Sequence, residues 1–286
     1  MCRFVVYKGA EILMADLITR SRHSLIRQSY EAKEAREPLN GDGFGVGWYV
    51  PEVDPTPCVF TSITPAWNNR NLHRLAEKIS TPSLFAHVRA ASSGMSVSEL
   101  NCHPFQHGRY LWMHNGFVSQ FRLIKRRLRE SLSDPFYDII EGTTDAEHAF
   151  ALFLENLGDL EATHTPEALG AALRKTIETI EAYTRDAGIA EPSFLNFAIT
   201  DGQSAVVSRY VTDPQVEPNS LYVSRGDAFA CRGDDYRMIH ELGTTHAVIV
   251  VSEPLTSKAE DWDRIPRDHL VTITPSLDVR FTSLRA

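Results

Sequence analysis

The chain has 286 residues, a formal net charge of −8, 43% hydrophobic and 23% charged residues. That balance supports a soluble protein with a core of ordinary size. It gives no reason to expect broad attraction to nucleic acid or to an anionic membrane, and no apolar run reaches membrane-spanning length. Four cysteines, Cys2, Cys58, Cys102 and Cys231, are scattered without a CxxC pair, which argues against a disulfide framework and a cysteine-rich zinc site.

The first residues, Met1-Cys2-Arg3-Phe4-Val5-Val6-Tyr7, lead into a buried strand at residues 4–7. Residues 12–14 read as its partner across the Lys8-Gly9-Ala10 turn. The apolar stretch stops at Lys8-Gly9, too early for a signal peptide, so a cytoplasmic location is expected. Residues 16–18 and 21–34 read as helix or irregular structure. The run Gly41-Asp42-Gly43-Phe44-Gly45-Val46-Gly47-Trp48 begins as a loop and ends as a strand. Phe44, Val46 and Trp48 fall on one face, which leaves Gly45 and Gly47 open to close approach by another backbone or a ligand.

Residues 51–57 hold three prolines and read as a loop, 59–63 as a strand, 71–79 as a short helix and 83–91 as a strand ending in Ser92-Ser93-Gly94. Residues 109–114 read as a strand running into Asn115-Gly116. Phe121, Ile124 and Leu128 mark a helix whose outer face carries Arg122, Lys125, Arg126, Arg127 and Arg129. On an acidic chain that face reads as solvated rather than as a nucleic-acid patch. Thr144-Asp145-Ala146-Glu147 has the pattern of a capping box. Thr165-Pro166 opens a longer helix with the stripe Leu169, Ala172, Leu173, Ile177, Ile180. Residues 194–200, 205–210, 221–224, 247–251, 270–273 and 279–281 then read as strands, with a surface loop at 212–219. Strands, then helices, then strands again favour two packed sheets with helices outside, an α+β class, over a doubly wound fold.

A cysteine directly behind the initiator methionine has a specific chemical use. Once Met1 is lost, Cys2 carries a thiol and a free α-amine, nucleophile and base on one residue. Arg89, at the end of an apolar strand, is either an edge-strand salt-bridge residue or a guanidinium fork for a substrate carboxylate. Asn115-Gly116 is either a tight turn or a pair of donors for a tetrahedral oxyanion; the residues alone leave both readings open. Asp145 either complements the dipole of its helix or faces a substrate ammonium. Cys102, His103, His107 and His114 fit no zinc spacing, and His103 reads as a structural group.

Taken in order, Cys2, the Gly-rich loop, His87-Val88-Arg89, Asn101-x-His103-Pro104, His114-Asn115-Gly116 and Thr144-Asp145-x-Glu147 resemble the class II glutamine amidotransferases, members of the N-terminal-nucleophile hydrolases. Val251-Ser252-Glu253-Pro254-Leu255 with Trp262 and Ile265-Pro266 is similar to the stand-alone branch, which includes γ-glutamyl hydrolases of ergothioneine biosynthesis and glutathione degradation. The resemblance implies a single domain over residues 1–286, folded as a four-layer αββα sandwich. It implies Cys2 as nucleophile, Asn115 and Gly116 as oxyanion donors, Arg89 on the substrate α-carboxylate, Asp145 on its α-ammonium and Ser92 lining the glutamyl pocket. Ala90 and Ser93 depart from the Trp and His of better-known members.

No cofactor or metal is implied. The expected ligand is a small γ-glutamyl compound, not nucleic acid or membrane. The reaction expected is hydrolysis of a γ-glutamyl amide through a thioester. Two alternatives are a glutaminase subunit that passes ammonia to a separate synthase, and a non-catalytic regulatory protein that retains the fold, which permanent retention of Met1 would favour. Residues 24–40 and 226–240 read as loops on the acceptor side.

Overall fold

The computed structural model describes residues 2–34, 39–91, 97–233 and 235–285. In chain order the strands are β1 (Arg3–Leu13), β2 (Phe44–Val50), β3 (Asp54–Ser62), β4 (Ser80–Val88), β5 (Phe105–His107), β6 (Tyr110–Phe117), β7 (Phe194–Thr200) and β8 (Ala205–Arg209). They continue as β9 (Tyr222–Gly226), β10 (Ala228–Arg232), β11 (Asp235–Ile239), β12 (Ala247–Val251), β13 (Asp263–Arg264), β14 (His269–Ile273) and β15 (Val279–Ser283). The α-helices are α1 (Leu25–Glu31), α2 (Arg70–Ala76), α3 (Phe121–Glu130), α4 (Asp134–Asp138), α5 (Asp145–Leu157) and α6 (Pro166–Asp186).

Two antiparallel sheets carry the fold. The first runs β13-β9-β12-β1-β4-β2-β3 and the second β15-β14-β8-β7-β6-β5, with β10 and β11 as a separate hairpin. Side chains alternate between the faces of a strand, and here both faces are buried. In β1, Val5 and Tyr7 join an outer core with α1, whereas Phe4 and Val6 join the core between the sheets. In β6, Tyr110 and Trp112 meet α5 and α6 residues, while Leu111 and Met113 face the first sheet. The layers are therefore helix, sheet, sheet, helix, the αββα sandwich expected from the resemblance. Near-continuous apolar runs are what strands covered on both sides require.

The glycines of β2 show why that strand carries them. A Cβ on Gly45 would lie 2.2 Å from the His103 carbonyl oxygen, and one on Gly47 would lie 2.8 Å from a Leu111 methyl. The second sheet fills the space that side chains would take, while Phe44 and Val46 point to the outer core.

Several local expectations are corrected. Residues 4–14 do not form a hairpin: β1 is one strand, pairing with β4 through an irregularity between Lys8 and Ile12. Residue 9 is glycine because β12 passes so close that a Cβ would lie 2.2 Å from the His246 carbonyl oxygen. The proline-rich stretch enters β3 at Asp54. Residues 24–40 contain α1, and 226–240 contain the β10–β11 hairpin. Asn115-Gly116 is not a turn but lies inside β6, opposite Asn196 and Leu195 of β7. The capping box is half made: Thr144 Oγ1 accepts the Glu147 N–H at 3.2 Å, but the Glu147 carboxylate takes the N–H groups of Glu141 and Gly142 instead.

Candidate active site

Cys2 immediately precedes β1 and is buried. Its even-numbered place continues the face of Phe4 and Val6, which looks between the sheets. The Ala90 N–H donates to its sulfur at 3.4 Å, and the Ala90 carbonyl oxygen lies 3.6 Å away. Burial pushes the thiol pKa up, opposed by the Ala90 hydrogen bond and by the nearby Arg89 and Arg3 charges.

The residues after Cys2 are clamped from the side. Arg3 is 1% exposed. Its guanidinium donates to the Cys2 carbonyl at 2.9 Å and to Glu253 at 3.3 Å. Glu253 also accepts the N–H groups of Lys33 and Glu34, at 2.8 and 3.3 Å. A buried carboxylate needs such a full set of donors.

Arg89 follows β4 and is 3% exposed. One guanidinium nitrogen lies 3.4 Å from the Asp42 carbonyl oxygen. The Arg89 backbone pairs with Gly43 and Asp42, and the Asp42 carboxylate accepts the Ala91 N–H at 2.8 Å. The Gly-Asp-Gly loop thus fixes the segment that carries both Arg89 and Ala90.

Asn115 enters from the second sheet, on the β6 face that Leu111 and Met113 turn toward the first sheet. It is fully buried. Its amide donates to Ser252 Oγ at 3.1 Å, and the same oxygen accepts the Phe4 N–H at 3.1 Å. One hydroxyl therefore joins the start of β1 to the middle of β6. At Gly116 a Cβ would lie 1.9 Å from the Phe194 carbonyl oxygen, so only glycine fits. Strand β5 pairs with β6 only at 110–112, so among the described residues no strand pairs with Asn115 and Gly116 on that side. Asp145, in the first turn of α5, accepts from Val118 N–H at 2.6 Å and from Ala146 N–H at 2.9 Å. Its carboxylate ties the segment after β6 to the helix N-terminus.

A seam of buried histidines lies beneath this arrangement. His87 Nε2 lies 3.2 Å from the His114 carbonyl oxygen and His114 Nε2 2.9 Å from that of Phe194; each ring therefore donates to a carbonyl. The His103 ring packs on His87 and Phe105. Burial pushes His87 down to about 3 and lowers His103 and His114 as well. Neutral rings are what a dry seam tolerates. Among the described residues, no group of three His, Cys, Asp or Glu is placed to hold a metal ion. A cleft of about 450 Å³ lined by Glu99, Cys102, His107, Glu141 and Glu147 lies nearby. Its Cys102 sulfur sits against Gly43, whose carbonyl accepts the Arg89 N–H.

The structure thus brings Cys2 and Arg89 to the same end of the paired central strands β1 and β4 of the first sheet, with Asn115 and Gly116 inside β6 of the second and Asp145 at the N-terminus of α5. Ser92, Ser93 and Met1 lie outside the described residues. Ser252, Glu253 and Asp42, which hold these groups in place, were not singled out from the sequence for that role. The available signal was a polar pair following the apolar run 247–251, just as Arg89 follows an apolar strand.

The chain is an amidohydrolase built on a four-layer αββα sandwich, with a cysteine at the head of a central strand. Within that class, this chain belongs to the class II glutamine amidotransferases, whose family profile matches residues 19–279.

The probable glutamine amidotransferase DUG3 of Saccharomyces cerevisiae is 42% identical over 292 residues, spanning 96% of this chain and 82% of that protein. The γ-glutamyl-hercynylcysteine sulfoxide hydrolase of Mycobacterium tuberculosis is 31% identical over 160 residues, spanning 56% of this chain and 64% of that enzyme. Two solved structures share the fold. A glutamine aminotransferase class-II domain protein from Silicibacter pomeroyi superposes with a TM-score of 0.67 at 24% identity, over 99% of both chains. The glutamine phosphoribosylpyrophosphate amidotransferase of B. subtilis gives 0.61 at 14% identity, over 99% of this chain and 49% of that one. No α-helix among the described residues is long and apolar enough to cross a membrane.

Proposed function

We propose that this chain hydrolyses a γ-glutamyl amide bond, with Cys2 as nucleophile after removal of Met1. The observation that carries this reading is the shared Ser252 hydroxyl, which ties the strand behind Cys2 to the Asn115 amide. One hydroxyl thereby links the strand behind the proposed nucleophile to the side chain proposed as oxyanion donor.

The Cys2 α-amine, with a reference pKa of about 7.7–8.0, is partly neutral near pH 7 and accepts the thiol proton, directly or through water. The thiolate adds to the γ-carbonyl carbon, and the carbonyl electron pair moves to oxygen. The Asn115 amide and the Gly116 N–H donate to that oxyanion. Collapse expels the amine, which takes the proton held by the α-amine, and leaves a γ-glutamyl thioester. Water then attacks the thioester, regenerating the thiol and releasing glutamate. Arg89 pairs with the substrate α-carboxylate and Asp145 with its α-ammonium, so both ends of the zwitterion are positioned before attack. Ser92 lines the glutamyl pocket in this reading. The sequence over residues 1–286 acts as one domain with a small-molecule substrate, in the cytoplasm.

Cys2→Ala should abolish glutamate release from glutamine and from γ-glutamyl peptides while leaving the thermal midpoint nearly unchanged. Turnover close to the parent's would refute the nucleophile assignment. Intact mass should show loss of Met1. A second reading, a glutaminase subunit feeding ammonia to a partner synthase, is favoured by the amidotransferase designation of the yeast relative. It predicts glutaminase activity that appears only when the partner is added.

A further inference from the structure

We infer that the basic face of α3 is a built binding site for a small polyanion carrying two or more phosphate groups, separate from the residues proposed for hydrolysis. Arg122, Lys125, Arg126 and Arg129 fall at i, i+3, i+4 and i+7, a single stripe about 10 Å long on a helix. With Glu130 and Tyr137 they line an open, shallow cleft of about 430 Å³, a volume that admits a small molecule.

The charge in this cleft is only partly offset from within the protein, with the Glu147 carboxylate acting on Lys125 and Arg129 from outside the lining. Glu130 is the one carboxylate among the lining residues, and it bonds Arg126. Arg127 turns to Asp186, away from the cleft. Among the described residues Arg122 and Lys125 have no ion pair. All this occurs on a chain whose net charge is −8, so the patch is local.

Arg129 shows that the site is constructed. Its Nε–H donates at 3.0 Å to Nε2 of His148, a side chain with no exposed surface. His148 can accept there because its Nδ1–H is spent on the Thr144 carbonyl at 2.7 Å. Burial pushes His148 down to about 4, so the ring is neutral. The guanidinium also stands 5.3 Å from the Tyr137 ring centre. A neutral acceptor and an aromatic ring fix Arg129 without cancelling its charge, which leaves its remaining donors pre-oriented for an anion. Lys125 is half-buried; burial and then Arg129 push its pKa down, against the pull of Glu147, and the charge of a bound anion would oppose that shift. One phosphate can engage Lys125 and Arg129 together, but the stripe continues a full turn to Arg122, and reaching it takes a second phosphate.

The test is calorimetric titration of the full chain at physiological ionic strength with orthophosphate, pyrophosphate and tripolyphosphate. Affinity should rise in that order. Arg129→Lys preserves net charge but removes the fork held by His148, and should weaken tripolyphosphate binding about tenfold. Arg122→Met, at an exposed position, should weaken tripolyphosphate and leave orthophosphate unaffected. Three results would overturn the inference: no binding by the parent, equal affinity in Arg129→Lys, which marks diffuse attraction, or tighter binding of a single-stranded oligonucleotide than of tripolyphosphate.

Discussion

The two halves of the site are held by different means. Cys2 stands one residue before the first backbone pair of β1, Arg3 with Val88, so its place depends on side chains: the Arg3–Glu253 pair, the Asp42 loop and the Ala90 contact. Asn115 and Gly116 lie within β6, where the register with β7 fixes them through the backbone. A strand end is placed by clamps and a strand interior by its neighbours. Loosening a clamp should therefore shift Cys2, the proposed nucleophile, whereas truncating Asn115 should delete the proposed donor and shift little else.

Acid should break both halves together, because the His87–His114 contact joins the sheets that carry them. His87 falls to about 3 in the folded chain against about 6.5 when unfolded. Between those values the unfolded chain binds the extra proton, so the contribution is complete above pH 6.5 and lost as pH falls toward 3. The loss is of order 4 kcal/mol from His87, and His103 and His114 act in the same direction. Urea midpoints measured down this range should fall steeply, and His87→Gln should flatten the slope. An unchanged slope would mean that the seam is not neutral.

The next largest effects separate the halves. Glu253→Ala leaves the Arg3 guanidinium buried without its partner, a loss of about 3–5 kcal/mol. Hydrogen exchange should report it first at the start of β1. Asn115→Ala should lower kcat about 10²–10³-fold with KM nearly constant, and with a smaller stability cost than Glu253→Ala. The reverse pattern, in which Glu253→Ala is benign and Asn115→Ala unfolds the protein, would invert the contrast.

How much of this was legible in the sequence follows the same division. The apolar runs of β1, β4 and β6 were legible as strands because each strand is covered on both sides, and the ordered residues Cys2, Arg89, Asn115 and Asp145 pointed to the family. Asn115-Gly116 stayed ambiguous because Asn-Gly is a strong local turn signal. What makes it strand is the β7 backbone at Phe194, nearly eighty residues away, a contact with no local trace. The β10–β11 hairpin was read as loop because Arg232, Asp235 and Arg237 dilute its alternation; Phe229, Met238 and the partly buried Tyr236 reach the outer core. From the sequence, His103 and His114 fit no zinc spacing and His103 read as a structural group; that the rings of 87, 103 and 114 share one seam follows only from the packing of the sheets.

The smallest expected effect is the most discriminating. Ser252 Oγ accepts from the Phe4 N–H of one half and the Asn115 amide of the other. Ser252→Ala removes the acceptor from two buried donors, a cost of about 2 kcal/mol at roughly 1 kcal/mol each. If the shared oxygen orients Asn115, kcat should also fall several-fold at constant KM, because the donor loses alignment that matters in the transition state and little in the ground state. In an Asn115→Ala background the same change should leave kcat where it was and still lower stability, since only the Phe4 bond remains to be lost. A kcat loss that persists undiminished in that background would show that Ser252 acts on the nucleophile strand alone, and that the two halves are set independently.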